Sequence, residues 1–219
     1  MAMQPFALDP FLPAAPSIAA NFAVDNTSMR LTIAGLSFGF AIGQLIAGPL
    51  SDSLGRRRPV LVAAALYVLA STLVITAANF AMFATGRVLQ GVAGAAIQVV
   101  GNAIMRDLYA GAALMKMMSR VFLIQALSWF VGPLGATLLL DVVDWRVMTG
   151  IIAIYGAILL TAATRVLTET LPGASRTEHG GVRAMASRFA HVLKDRPYLG
   201  IVLIGVLNRS EERRVGKEC

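Results

Sequence analysis

An all-α polytopic membrane protein, with six transmembrane helices followed by the start of a seventh, is the fold class this sequence predicts. Three observations carry it. The 219 residues are 57% apolar and only 14% charged, with a mean hydropathy of +0.69. The apolar residues fall in charge-free runs near the ~20 residues that a bilayer-crossing helix needs. The basic residues concentrate in alternate connections between those runs. Such a composition is too apolar for an ordinary soluble domain, and it excludes a disordered chain, collagen and a disulfide scaffold, the single cysteine being Cys219. A net charge of +7 would suggest nucleic acid in a soluble protein. No basic stripe interleaved with aromatics is present, so no nucleic-acid partner is expected and the charge is assigned to topology.

The first helix is placed at Met1 to about Asn21, although it carries Asp9 and four prolines. The second occupies Leu31 to Ser51, where Gly35, Gly39, Gly43 and Ala47 form a small-residue stripe suited to close helix packing. From Pro59 to Gly86 and from Val88 to Met105 the sequence is broken only by Arg87, and Ala77-Ala78-Asn79 is the only plausible turn. Arg87 therefore belongs inside the fourth helix. Val121 to Leu140 and Val147 to Thr164 give the fifth and sixth helices, and Pro197 to Asn208 is apolar but too short, a seventh helix cut off.

Orientation follows from the bias of Lys and Arg toward cytoplasmic loops. Arg56, Arg57 and Arg58 lie between helices two and three; Arg106, Lys116 and Arg120 lie between four and five; Arg165, Arg176, Arg183, Arg188, Lys194 and Arg196 follow six. The other connections hold only Arg30 and Arg146, with Asp25, Asp141 and Asp144. The N-terminus is thus expected in the cytoplasm. Four segments result: a six-helix bundle at 1–170, a cytoplasmic linker at 171–196 with a candidate amphipathic surface helix from Val182 to Lys194, the truncated helix at 197–208, and the charged string RSEERRVGKEC at 209–219. That last string resembles a translated sequencing adapter and is set aside as an assembly scar, with a genuine charged tail as the alternative.

Three segments carry chemistry. The first is the hairpin Gly48-Pro49-Leu50-Ser51-Asp52-Ser53-Leu54-Gly55-Arg56-Arg57-Arg58-Pro59. Gly48-Pro49 is expected to loosen the end of helix two, Asp52 to cap backbone donors, Gly55 to permit a left-handed turn, and Pro59 to suit the first turn of helix three. The second is Arg87-x-x-Gln90-Gly91: at ~100° per residue, Arg87, Gln90, Gly91, Gly94, Gln98, Gly101 and Asn102 share about a third of the helix circumference. An arginine at the bilayer centre costs roughly 2.5 to 3.5 kcal/mol, so it should face protein or water; the competing reading has it snorkel to the surface. The third is Asp9 with Leu12, Pro13 and Pro16. A buried carboxyl is raised by desolvation and lowered by a nearby cation, which suits a group that loads and releases protons. The competing reading leaves Asp9 solvated at the start of a shortened helix.

Together these segments resemble the major facilitator superfamily. The hairpin is similar, position for position, to that family's G-x-L-S/A-D-x-x-G-R-R/K loop between helices two and three, and Arg87-x-x-Gln90-Gly91 resembles the helix-four motif of its proton-coupled members. Asp9-Pro10-Phe11-Leu12-Pro13-Ala14-Ala15-Pro16 resembles D-x-Y-L-P-x-x-P of the bicyclomycin- and chloramphenicol-resistance type of drug/proton antiporter, with Phe11 in place of tyrosine. Gly132-Pro133-Leu134-Gly135 resembles part of the antiporter signature G-P-x-x-G-G, Ala136 and Thr137 standing where the paired glycines should be. Glu169-Thr170-Leu171-Pro172 and Arg106-Asp107-Leu108-Tyr109 also look like this subfamily and read equally well as helix ends.

The resemblance implies the N-terminal half of a twelve-helix inner-membrane transporter that exports small molecules by alternating access. Asp9 and Arg87 would couple protons, and Gly48, Asp52, Gly55, Arg56 and Arg57 would latch the cytoplasmic gate. Gln90, Gln98, Asn102 and Gln125 would line a substrate cavity. The expected partners are a small molecule, protons, the bilayer and the second half of the same protein, with a proton gradient as energy source and no cofactor. An import symporter or facilitator, and a non-transporting six-helix unit, remain as alternatives. Nothing points to an enzyme or a metal site: no phosphate loop, dinucleotide turn or HExxH is present, and His179 and His191 lie twelve residues apart in the linker.

Overall fold

The computed structural model describes residues 11–140 and 142–171. Asp9, the linker, the seventh helix and the terminal string lie outside them. Among the described residues the fold is six helices and no strand: α1 Phe11–Phe22, α2 Asn26–Leu54, α3 Arg57–Ile75, α4 Phe80–Leu108, α5 Gly111–Leu140 and α6 Trp145–Val166. α2 to α6 are each long and apolar enough to cross a membrane. The turn at Ala77-Ala78-Asn79 is where the sequence places it: Asn79 caps α4 by accepting from the Met82 amide at 2.9 Å.

The helices outrun the charge-free runs. α2 and α4 have 29 residues each, about 44 Å at 1.5 Å per residue, against a hydrocarbon core of about 30 Å. α5 starts at Gly111, so Lys116 and Arg120 ride on its first turns instead of a loop. Only Tyr109 and Ala110 connect α4 to α5, and Gly111 has φ +52°. Charge marks the edge of the hydrocarbon, not of the helix. α2 likewise continues through Gly48-Pro49 to Leu54 where a loosened end was expected. Ser51 Oγ donates to the Gly48 carbonyl at 2.8 Å, adding a bond to the turn that holds the proline. Gly55 then ends the helix with φ +88° and ψ 172°, a positive φ as expected but with an extended ψ in place of the left-handed turn, a conformation open to glycine alone.

α4 is the centre of the bundle, packed along α2 and α3; α3 also packs along α6, and α1 lies against α5 with edges on α2 and α6. The α2–α4 seam is built on missing side chains. A Cβ on Gly39 would run into the Val88 carbonyl, one on Gly43 into the Val92 carbonyl, and one on Gly91 into the Leu36 carbonyl with the Phe40 amide at 2.9 Å. The small-residue stripe is therefore a backbone-to-backbone contact. At the end away from the arginine-rich connections, Phe11, Phe22, Phe80, Phe83 and Trp145 close the core; Phe83 and Trp145 meet edge to face at 5.7 Å and 87°. Arg146 stacks on Trp145 at 4.4 Å.

Asp25 starts α2, accepting from the Ser28 amide at 3.0 Å. Its hydrogen bonds, chiefly to Ser28, lower its pKa to about 2. A carboxyl depressed in the fold contributes stability that is present above its unfolded pKa of about 3.9 and lost as pH falls through the folded value. Between pH 5 and pH 2 in detergent, thermal melting should therefore fall less for Asp25→Asn than for the parent chain. Equal slopes in the two proteins would remove Asp25 as their source.

Candidate functional site

Two polar constellations stand out against the apolar bundle. The first lies inside the span, toward the N-terminal end of α4. Arg87 lies seven residues into α4, about 10 Å from its start, and is only 2% exposed. Its Nη1 donates to Gln90 Oε1 at 2.9 Å. Gln90 Nε2 donates to Ser71 Oγ on α3 at 2.9 Å. Ser71 Oγ in turn donates to the Tyr67 carbonyl at 2.8 Å. That last bond uses the only hydroxyl proton, so Ser71 meets Gln90 as an acceptor. The Gln90 amide must then turn its oxygen to Arg87, and the chain Arg87–Gln90–Ser71 has one direction. Across the guanidinium lies the Phe11 ring, 3.8 Å from Cζ. Arg87 is thus stacked on one side and hydrogen-bonded in the span, not snorkelled out.

Further along α4, Gln98 is half-buried, and its Oε1 has no hydrogen-bond partner among the described residues. Asn102 lines a polar cavity of about 410 Å³ with Gly48, Ser51, Asp52, Arg56 and Asp107. Gln125 is half-buried on α5. At Gly132 and Gly135 a Cβ would meet nothing within 4 Å among the described residues, unlike the tight glycines of α2 and α4. Pro133 sits inside α5, its carbonyl taken by Thr137 Oγ1 at 2.9 Å.

The second constellation closes the arginine-rich end. Arg56 is the hub: Nη1 reaches Asp52 Oδ1 at 2.6 Å and Ser51 Oγ at 2.8 Å, and Nε reaches Asp107 Oδ2 at 2.9 Å. Burial works against the guanidinium charge, but the Asp107 and Asp52 carboxylates outweigh it and hold its pKa above the ordinary value. The first amides of α3 go to Glu169: Arg56 N to Oε1 at 2.7 Å and Arg57 N to Oε2 at 3.4 Å. Arg57 Nη2 donates to the Thr164 carbonyl at 3.0 Å, and Thr170 Oγ1 to Asp107 Oδ2 at 3.3 Å. Four helix ends are tied here: those of α2, α3, α4 and α6. Asp52 takes the side chain of Arg56, and the first α3 amides go to Glu169.

Glu169, Asp107 and Ser71 carry more of this geometry than their sequence contexts announce. For Asp107 and Glu169 the sequence offered two signals, that the basic connections hold acids among their arginines and that both lie in segments resembling the antiporter subfamily, and neither named a partner. Ser71 has none. As an expected result, Glu169→Ala should cost about 1 kcal/mol, the value of a lost N-terminal cap, read as a lower melting temperature. The control Thr161→Ala removes only a hydroxyl bonded within its own helix; a melt for Glu169→Ala no lower than the control's would contradict the capping assignment.

Residues 1–209 match the family model described as Major Facilitator Superfamily. The chain is 33% identical over 203 residues to the uncharacterized MFS-type transporter YdgK of Bacillus subtilis, covering 92% of this chain and 50% of that protein. It is 30% identical over 169 residues to the bicyclomycin resistance protein homolog of Haemophilus influenzae, covering 77% and 42%. To the multidrug resistance protein MdtM of Salmonella typhimurium it is 32% identical over 153 residues, covering 69% and 36%. Among solved structures, the human organic anion transporter MFSD10 (TETRAN) superposes with a TM-score of 0.67 at 19% identity, over 84% of this chain and 50% of that one, a likeness of fold. The chain spans about half the length, or less, of the curated relatives it matches.

Proposed function

This chain belongs to the Major Facilitator Superfamily, a family of transporters and not of enzymes, and from that premise we propose that it is the N-terminal half of a proton-coupled exporter of small molecules. It is a multi-pass membrane protein. The arginine-rich connections give it a cytoplasmic N-terminus in a bacterial inner membrane. The multidrug and bicyclomycin resistance names of its relatives support drug-like substrates.

The observation that carries proton coupling is the buried Arg87. A fixed cation in low dielectric stabilises the charged form of a nearby carboxyl and so sets the pH at which that carboxyl exchanges its proton. Asp9 stands two residues before Phe11, whose ring stacks on Arg87, which supports Asp9 as that carboxyl. Gln90 and Ser71 hold the guanidinium in place. With a second half facing it, the bundle would expose the site to one side at a time. Proton arrival at Asp9 would change the charge balance around Arg87 and hence the favoured state. The network of Arg56, Asp52, Asp107 and Glu169 would latch one of those states.

The test uses the complete transporter that carries this half, in everted membrane vesicles. Substrate should accumulate when the interior is acid and leak out when the gradient is collapsed. Accumulation driven by an inward flux in right-side-out vesicles would make the protein an importer instead.

A further inference from the structure

Away from both constellations, an apolar groove of about 240 Å³ runs between α2 and α3 over a floor of α4, and it carries a single charged residue. Its walls include Ile46, Leu50, Val62 and Leu66, its floor includes Ala96, and Arg58 stands at the end where α2 gives way to α3. The outer wall is open: Ile46 is 45% exposed and Val62 68%. In a membrane such a groove meets lipid.

The three consecutive arginines of the hairpin have different employment. Arg56 is held by Asp52 and Asp107, and Arg57 by the Thr164 carbonyl. Arg58 is exposed and has no hydrogen bond or ion pair among the described residues. It is also the second residue of α3, so the positive end of the helix dipole adds to its charge. A wholly apolar slot ending in one uncommitted cation matches a ligand with a hydrocarbon tail and an anionic head. A free anion would leave the slot empty, and a zwitterionic lipid would bring its own cation to Arg58.

The geometry points to a binding site for one anionic phospholipid, with an acyl chain between α2 and α3 and the headgroup phosphate on Arg58. Since the same hairpin holds the Arg56 network, such a lipid would brace the α2–α3 connection. The site needs the membrane setting only and is independent of transport.

Native mass spectrometry of the full 219-residue chain tests it, released from micelles holding phosphatidylglycerol and phosphatidylcholine with the same acyl chains in equal amounts. One phosphatidylglycerol should be retained in about fivefold preference, the value of one basic residue at an anionic surface. Arg58→Gln should bring the two lipids to parity, Arg58→Lys should keep the preference, and Ala96→Phe, which fills the floor, should lower retention of both. Circular dichroism of each variant checks the helix content. Parity in the parent chain, a preference that survives Arg58→Gln, retention unchanged by Ala96→Phe in a folded chain, or a dimer that carries no lipid would each overturn the assignment.

Discussion

Gly91→Leu should abolish the folded bundle. The Gly91 Cα faces the Leu36 carbonyl and the Phe40 amide of α2, and even one added carbon has no room. The obstacle is backbone on a neighbouring helix, which cannot rotate away as a side chain does. Overpacking a well-filled core costs about 1 to 3 kcal/mol where neighbours can shift; here α2 must move bodily, and Gly39 and Gly43 lose their contacts with α4 as well. A stability of about 5 to 15 kcal/mol leaves little reserve against that. At Gly94, one turn further along the same helix, a Cβ would meet nothing within 4 Å among the described residues. The expected result is aggregation or loss of the cooperative melt for Gly91→Leu and a melt no lower than the parent's for Gly94→Ala, where alanine favours the helix. A normal melt for Gly91→Leu would refute the seam.

Arg87→Met should leave the bundle folded and uncouple it. Methionine fills much of the space over Phe11 and spares the cost of burying a charge, which offsets part of the loss. What it cannot do is donate to Gln90 Oε1, whose desolvation then costs about 1 to 3 kcal/mol. In the complete transporter, uptake driven by a pH gradient should fall at least tenfold, as removal of about 1.4 kcal/mol or more from a functional step requires, while helix content is kept. Gradient-driven uptake at the parent rate would contradict a coupling role for Arg87.

The spans and the position of Arg87 inside α4 were legible because membrane helices declare themselves by hydropathy, and a lone arginine flanked by apolar residues with a turn eight residues earlier has no loop to occupy. The positive φ of Gly55 was legible because a glycine between a helix end and three arginines supplies it at no steric cost, but its extended ψ was not. The ends of α2 and α5 were misplaced for one reason: charged residues were taken as boundaries, whereas a helix keeps its hydrogen bonds well past the hydrocarbon edge. The glycine stripe of α2 announced a close approach but not its partner, since a period of four names no second helix. The roles of Glu169 and Asp107 were illegible for a similar reason. Their contacts with Arg56 span 113 and 51 residues, and nothing local to either distinguishes a network member from a helix end. Ser71 was hidden differently, because a serine in an apolar run bonds its own helix and shows no sign of the glutamine it will receive.

The central claim, a proton site at Asp9 tuned by Arg87, is tested most directly by proton release on substrate binding. The complete transporter, purified in weakly buffered detergent with a pH indicator, is mixed with saturating substrate. The parent protein should release protons near neutral pH, and Asp9→Asn should bind substrate and release none. Equal release from Asp9→Asn and the parent would place the exchanging proton elsewhere and contradict the account.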